Sequence, residues 1–174
     1  DMLVEALTGD LGGQRDQIAT VLDGKPDVFA HNIETVERLT KRVRDQRCDY
    51  QQSLQVLRTA KEIQSDVVTK SSIMVGLGEN EREIDTVMDD LRTHDVDVVT
   101  LGQYLRPSML HLPVKEYVTP ARFKALEQRA LRKGFLYVAS GPLVRSSYKA
   151  AEFYIEGMLR RQRQAATEIT METL

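Results

Sequence analysis

The chain has 174 residues, of which 41% are hydrophobic and 29% are charged, and its formal net charge is −2. This length and composition predict one globular domain with its own core. The near-zero charge gives no electrostatic case for nucleic acid, and no apolar run approaches the roughly 20 residues that span a bilayer. We therefore expect neither a nucleic-acid partner nor a membrane.

Cysteine usage limits the metal chemistry of this chain. Cys48 is the only cysteine, so the chain alone forms no intrachain disulfide and no all-cysteine metal or iron–sulfur site. The sequence starts with Asp1 rather than Met and enters a strand pattern at once. We expect the amino-terminal part of the protein to be missing from this chain.

Five segments have the β-rich apolar character of strands, and segments with helical periodicity separate them. The predicted strands are 2–7, 27–31, 67–75, 96–101 and 135–139. Capping residues predict helix starts at Asn32, Asp49, Asn80 and Thr119. This alternation predicts a parallel sheet with right-handed crossovers, either open or curled into part of a barrel.

The strand at 67–75 leads into the turn Gly76-Leu77-Gly78. Glycines at such a turn let a ligand approach the main chain closely. Neither familiar glycine motif fits, because Glu81 replaces the third glycine of a dinucleotide fingerprint and no Gly-Lys-Ser/Thr triplet follows. We predict that the turn belongs to a site at the carboxyl ends of the strands.

Residues that follow the predicted strands should share this edge of the sheet. They are Gly9-Asp10, 31–34, 76–79, Gln103-Tyr104 and 140–148. Asn32 and Glu34 together suit a sugar diol, because one side chain donates hydrogen bonds and the other accepts them. The alternative is that Asn32 caps a helix and Glu34 compensates its dipole.

Two further groups have alternative interpretations. Lys70 lies within an apolar strand, where a desolvated lysine can act as a Schiff-base nucleophile, although pairing with an acid is the commoner role. The adjacent hydroxyls of Ser146 and Ser147 beside Arg145 fit a helix cap, an anion site or an oxygen ligand to a metal. His31, His94 and His111 show no ligand spacing, so we expect no zinc or non-haem iron site from them.

Five stretches together resemble the carboxyl-terminal part of the lipoyl synthase family of radical S-adenosylmethionine enzymes, in the family's order and spacing. They are DVFAHNIETV (27–36), TKSSIMVGLGENE (69–81), DVVTLGQYLRPS (97–108), HLPVKEYVTP (111–120) and ASGPLVRSSYKAAEFY (139–154). The resemblance extends over residues 1–158, which predicts a domain there and a polar, basic tail at 159–174. It implies a partial (β/α)6 barrel of the radical-SAM type, truncated at its amino terminus.

The resemblance also implies an activity. Members of the family bind S-adenosylmethionine and two 4Fe–4S clusters, and they insert two sulfurs at carbons 6 and 8 of an octanoyl chain carried on a protein lysine. The implied partners are an octanoylated lipoyl carrier domain or H protein and an electron donor such as ferredoxin. The implied compartment is the mitochondrial matrix, with the bacterial cytoplasm as the alternative.

The resemblance assigns no catalytic residue to this chain, but it implies several binding residues. Asn32 and Glu34 would hold the ribose of S-adenosylmethionine, and the main chain at Gly76 and Gly78 would approach the cofactor. Gln103, Tyr104 and Leu105 would line the adenine side. Ser147 of the Arg-Ser-Ser-Tyr motif would be the oxygen ligand of the auxiliary cluster, with Ser146 as its nearest rival.

Two departures from the family pattern matter. Its CxxxCxxC motif and second cysteine trio are absent, and Cys48 matches neither, so we expect the chain to be inactive alone. Residues 9–13 also replace the usual Asp-Phe-x-Gly. Two alternatives remain, a non-catalytic barrel-type binding module and a metal-free Schiff-base enzyme that uses Lys70.

Overall fold

The computed structural model describes residues 3–147 and 157. The strands are β1 (Glu5–Leu7), β2 (Val28–Ala30), β3 (Val68–Val75), β4 (Val98–Gln103) and β5 (Tyr137–Gly141). The helices are α1 (Arg15–Asp23), α2 (Thr40–Val43), α3 (Tyr50–Ile63), α4 (Glu81–Thr93) and α5 (Pro120–Arg132). Tyr148 and the predicted tail at 159–174, together with the domain boundary before it, lie outside the described residues.

The five strands form one parallel sheet in the order β1-β2-β3-β4-β5. Each strand lies beside its sequence neighbour, so right-handed crossovers carry the helices over the same face. Within the described residues the sheet is not closed, and β1 and β5 are its edges. The prediction of a parallel α/β fold is confirmed.

Alternate positions on the strands face the helices and form the main core. Its fully buried strand residues include Phe29, Ile73, Val99 and Leu101. A smaller apolar cluster of Val28, Val68 and Val98 forms separately, towards the amino ends of the strands. None of the described helices is long and apolar enough to cross a membrane.

Three of the four predicted helix caps are confirmed. The side chains of Asp49, Asn80 and Thr119 accept main-chain hydrogen bonds at the starts of α3, α4 and α5. Asn80 and Glu83 form a complete capping box. Gln52, three residues after Asp49, does not complete a capping box there, because its side-chain amide donates to the carboxylate of Asp10.

The fourth prediction, a cap at Asn32, is wrong. The next helical turn begins only at Glu37, with Val36 as its N-cap, and α2 follows it. The chain beyond β2 continues to pair with β3, because the register runs from Ala30 opposite Lys70 to Glu34 opposite Ile73. Four residues on one side therefore match three on the other, which is a β-bulge.

Candidate functional site

Two adjoining cavities lie at the carboxyl ends of the strands. The larger measures about 690 Å³ and is lined by residues 7–10, 31, 32, 34, 43–45, 48 and 74. The smaller measures about 210 Å³ and is lined by residues 32, 34, 72–74, 102, 103, 105 and 144–146. Asn32, Glu34 and Met74 belong to both linings, so these three side chains form the wall between the cavities.

The β-bulge places Asn32 and Glu34 at this wall. The Glu34 N–H donates to the carbonyl of Ser72 at 2.9 Å, and the Glu34 carbonyl accepts from the Met74 N–H at 2.8 Å. Glu34 has a left-handed backbone with φ of +67°, a conformation that is uncommon outside glycine and often marks functional sites. Asn32 and Glu34 are two residues apart, as are side chains on one face of a strand, and the bulge shifts the register against β3 by one residue between Ala30 and Glu34.

Glu34 is hydrogen-bonded to Asn32 at the wall between the cavities. Burial raises the pKa of the Glu34 carboxyl above its usual value, and the hydrogen bond from Asn32 and the charge of Arg44 only partly oppose that rise. A carboxylate beside an amide offers acceptors and donors at the same point, which matches the paired hydroxyls of a ribose. This donor set fits the nucleoside part of the cofactor that the family resemblance implies.

A hydrogen-bonded histidine forms part of the larger cavity. His31 is 2% exposed, and its Nδ1 lies 3.1 Å from the carbonyl oxygen of Thr8, to which it must donate. Its Nε2 then accepts from the hydroxyl of Ser53 at 3.0 Å, and that hydroxyl accepts from Arg44 at 2.6 Å. Burial lowers the pKa of His31, and the charge of Arg44 lowers it further, so the network holds a neutral imidazole.

The same cavity contains Asp10 and Cys48. Burial acts to raise the pKa of Asp10, but hydrogen bonds from Gly12 and Gln52 outweigh it and lower the pKa overall. Burial raises the pKa of the Cys48 thiol, so the thiol form is favoured. The described part of the chain contains no group of three histidine, cysteine or acidic side chains able to hold a metal. These residues therefore do not supply the ligands of an iron–sulfur cluster by themselves.

Close local contacts fix the shape of the glycine turn. A Cβ on Gly76 would lie closer than 3.0 Å to the side chain of Gln103 and to the carbonyl of Glu116, and φ here is +101°. The Gly76 and Leu77 N–H groups donate to the carboxylate of Glu79 at 2.5 and 2.9 Å. Neither Gly76 nor Gly78 is in the lining of the two cavities.

Sequence reasoning placed Glu79 at this edge within residues 76–79 but assigned it no role. This residue is 8% exposed and its carboxylate holds the turn in shape. The available signal was an acid directly after the Gly76-Leu77-Gly78 turn and directly before the Asn80 cap. Acids are also common near helix starts, so this position did not stand out.

The predicted adenine-side residues divide between two roles. Gln103 and Leu105 line the smaller cavity, whereas Tyr104 does not and instead donates its hydroxyl to the Leu112 carbonyl at 2.9 Å. Gln103 accepts from the Val118 N–H at 2.8 Å and donates to the Glu116 carbonyl at 3.0 Å. These bonds fasten the loop over residues 104–119 to the end of β4.

The Arg145-Ser146-Ser147 segment lies beside the smaller cavity. Arg145 and Ser146 are among its lining residues, while Ser147 is exposed and is not. The Arg145 guanidinium donates to the Val144 carbonyl at 2.9 Å. The structure therefore brings this segment together with Asn32 and Glu34, and its nearest hydroxyl is that of Ser146.

Lys70 is separate from both cavities. Its ammonium, 1% exposed, lies 2.9 and 2.7 Å from the two carboxylate oxygens of Glu5. The charge is thus paired with a neighbouring acid, which is the structural alternative to a nucleophilic lysine. Nothing in this arrangement favours a Schiff-base enzyme.

Several known proteins are similar in sequence to this chain. Residues 4–91 match the family model of the radical SAM superfamily. The chain is 56% identical over 172 residues to the mitochondrial lipoyl synthase of Branchiostoma floridae, covering 99% of this chain and 45% of that protein. It is 56% identical over 162 residues to that of Phaeosphaeria nodorum, covering 93% and 43%, and 54% identical over 174 residues to lipoyl synthase 1 of Drosophila yakuba, covering 99% and 46%.

The chain thus spans about half the length of the curated relatives it matches. The matched superfamily segment contains β1 to β3, the bulge and the glycine turn, and it includes all three side chains of the wall between the cavities. The parallel sheet with consecutive strand order agrees with that match. The chain belongs to the radical SAM superfamily.

Proposed function

We propose that this chain forms part of a lipoyl synthase, a sulfurtransferase of lipoate biosynthesis. Its substrate would be an octanoyl-lysine on a lipoyl carrier domain or an H protein. A small electron-transfer protein such as ferredoxin would supply electrons to the enzyme. The identities of 54–56% to lipoyl synthases over at least 93% of this chain support the proposal. The relatives' names also support the mitochondrial matrix as the compartment, with the bacterial cytoplasm as the alternative.

One structural observation supports the proposal most directly. Asn32 and Glu34, which suit a ribose, line the same 210 Å³ cavity as Arg145 and Ser146. A cofactor that generates a radical and the group that donates sulfur must both reach one substrate chain. A single cavity lined by both sets of residues provides that proximity.

The residues of this chain would bind and orient rather than react. Glu34 would accept hydrogen bonds from the ribose hydroxyls, and Asn32 would orient the Glu34 carboxylate through their mutual hydrogen bond. Leu105, 47% exposed at the rim of the smaller cavity, would contact the adenine side. Gly76, Gly78, Gln103 and Tyr104 would act by shaping the turn and the loop that surround the cofactor.

The iron–sulfur clusters would supply the radical chemistry and the inserted sulfur. This chain would contribute one hard oxygen ligand, for which we propose Ser147, and the neighbouring Arg145 would stabilise negative charge there. Cys48 is the only cysteine of this chain, so most of the cluster ligands would come from outside these 174 residues. We therefore expect no sulfur insertion by the 174-residue chain alone.

Paired serine variants test the proposal in the full-length protein that contains this chain. After reconstitution with iron and sulfide, the protein is given S-adenosylmethionine, a reductant and an octanoylated carrier domain, and the lipoyl product is measured by mass spectrometry. We expect Ser147→Ala to abolish product while 5′-deoxyadenosine is still formed, and Ser146→Ala to retain most activity. Loss in Ser146→Ala alone would transfer the ligand role to that residue.

The cofactor assignment has its own test. Glu34→Gln should weaken binding of S-adenosylmethionine by about 10-fold, because a charge-assisted hydrogen bond to a hydroxyl contributes roughly 1.5–3 kcal/mol. Equilibrium dialysis measures this without turnover, and Glu127→Gln, a change on α5 that lies in the lining of neither cavity, is the control. The proposed function itself would be refuted if the reconstituted full-length wild-type protein made no lipoyl product in the mass-spectrometric assay.

A further inference from the structure

Two glycines face each other at the carboxyl ends of β4 and β5. Gly102 is the register partner of Gly141 in the parallel ladder. Neither has a left-handed backbone, so conformational freedom does not explain why both positions lack a side chain. The space around them does.

Val144 occupies the notch that the glycine pair leaves open. A Cβ built on Gly102 would lie closer than 3.0 Å to the carbonyl oxygen of Val144, and one built on Gly141 would lie 3.4 Å from its Cγ2 methyl. Val144 is 6% exposed, and its N–H donates to the Gly141 carbonyl at 3.1 Å. The main chain of Val144 therefore rests on β4, and its side chain rests on β5.

The notch determines where the next two residues lie. The Val144 carbonyl that contacts Gly102 also accepts from the Arg145 guanidinium at 2.9 Å. Arg145 and Ser146 follow directly and line the smaller cavity together with Gly102 itself. A displacement of the Val144 carbonyl would be transmitted to both side chains, because no regular secondary structure separates them from it.

We propose that Gly102 is a positioning residue. Its lack of a side chain leaves room for the Val144 carbonyl, a contact that we call the seat, and the seat places the Arg145–Ser147 segment against the cavity. The assignment of this segment to the auxiliary cluster rests on the proposed function, whereas the seat itself does not. A methyl group at position 102 would force the carbonyl to retreat by about 1 Å to restore an ordinary C···O separation of about 3.3 Å. At position 141 a methyl group meets only the end of a side chain at an ordinary distance.

Amide hydrogen exchange tests the seat without reference to activity. In the full-length protein, Gly102→Ala should raise the exchange rate of the 142–147 peptide by about 10-fold, because the Val144 amide loses its fixed acceptor geometry. The matched variant Gly141→Ala should leave that rate within about 2-fold of wild type. Unchanged exchange in Gly102→Ala, or an equal rise in both variants, would overturn the proposal.

Amide protection in β3 reports whether the sheet remains folded in each variant. If Gly102→Ala loses that protection, Val144→Ala replaces it, because this change loosens the seat without altering β4. Its exchange in 142–147 should also rise by several-fold. A folded Val144→Ala protein with wild-type exchange in that peptide would refute the seat.

A spectroscopic readout connects the seat to the proposed function. The g values in the EPR spectrum of the reduced auxiliary cluster should shift in Gly102→Ala in the same direction as in Ser147→Ala. Formation of the lipoyl product should fall by about 10- to 100-fold, which is the scale for a misplacement of about 1 Å. Raised exchange with an unchanged spectrum and product would refute the positioning role. If both serine variants are also silent, the proposed function itself fails.

Discussion

The buried ion pair between Lys70 and Glu5 makes a measurable prediction about stability. Glu5→Gln leaves the Lys70 ammonium, 1% exposed, without a carboxylate. Removing one partner of a fully buried pair costs about 3–5 kcal/mol, and the 27% exposure of the Glu5 side chain lowers this to about 2–3 kcal/mol. For a protein of this size the loss corresponds to a decrease in melting temperature of roughly 5–10 °C.

Urea unfolding followed by circular dichroism measures the free energy of unfolding. The control is Glu127→Gln, whose carboxylate is as exposed as that of Glu5 but whose partner Lys124 is 65% exposed, so the change should cost no more than about 0.5 kcal/mol. Replacing Lys70 by Met in the Glu5→Gln background should recover more than half of the loss, because the unpaired charge is then gone. Equal costs for the two glutamine variants would show that the Lys70 charge is not desolvated as described.

Two further predictions concern the carboxyl-end region. Gly76→Ala and Gly78→Ala share the strain of a positive φ, but only Gly76 faces a main-chain carbonyl, so its unfolding free energy should fall by about 1–3 kcal/mol more than that of Gly78→Ala. Equal losses would contradict the close approach of the loop. The lowered pKa of His31 means that the unfolded state binds more protons, so stability should rise with pH towards the usual value of 6.5, by up to about 1.4 kcal/mol per unit. His31→Gln should lack this rise when its free energy of unfolding is measured with urea between pH 5 and 8. A pH dependence equal to that of the wild type would contradict the prediction.

Helix starts could be predicted from the sequence where the capping contacts are local. The caps at Asp49, Asn80 and Thr119 involve partners within three residues, so they are readable without a tertiary structure. The same reasoning failed at Asn32, because pairing of Glu34 with the next strand, about 40 residues away, overrode the local preference for a helix start.

The candidate site was predictable in composition but not in geometry. Asn32 and Glu34 belong to the carboxyl-end region that the strand order predicts, and the structure places both at the wall between the cavities. The bulge that shifts their register against β3 is invisible to a pattern of alternating residues. The notch at Gly102 was equally hidden, since a glycine inside a strand indicates a close approach without naming what approaches.

The shared wall makes the two cavities energetically interdependent. A ligand in the larger cavity that bonds to Glu34 changes the acceptor which that side chain offers to a ligand in the smaller one. The coupling free energy between two such ligands has the same value whichever binds first. A ligand in one cavity would therefore change the affinity of the other cavity through the Glu34 carboxylate that both share.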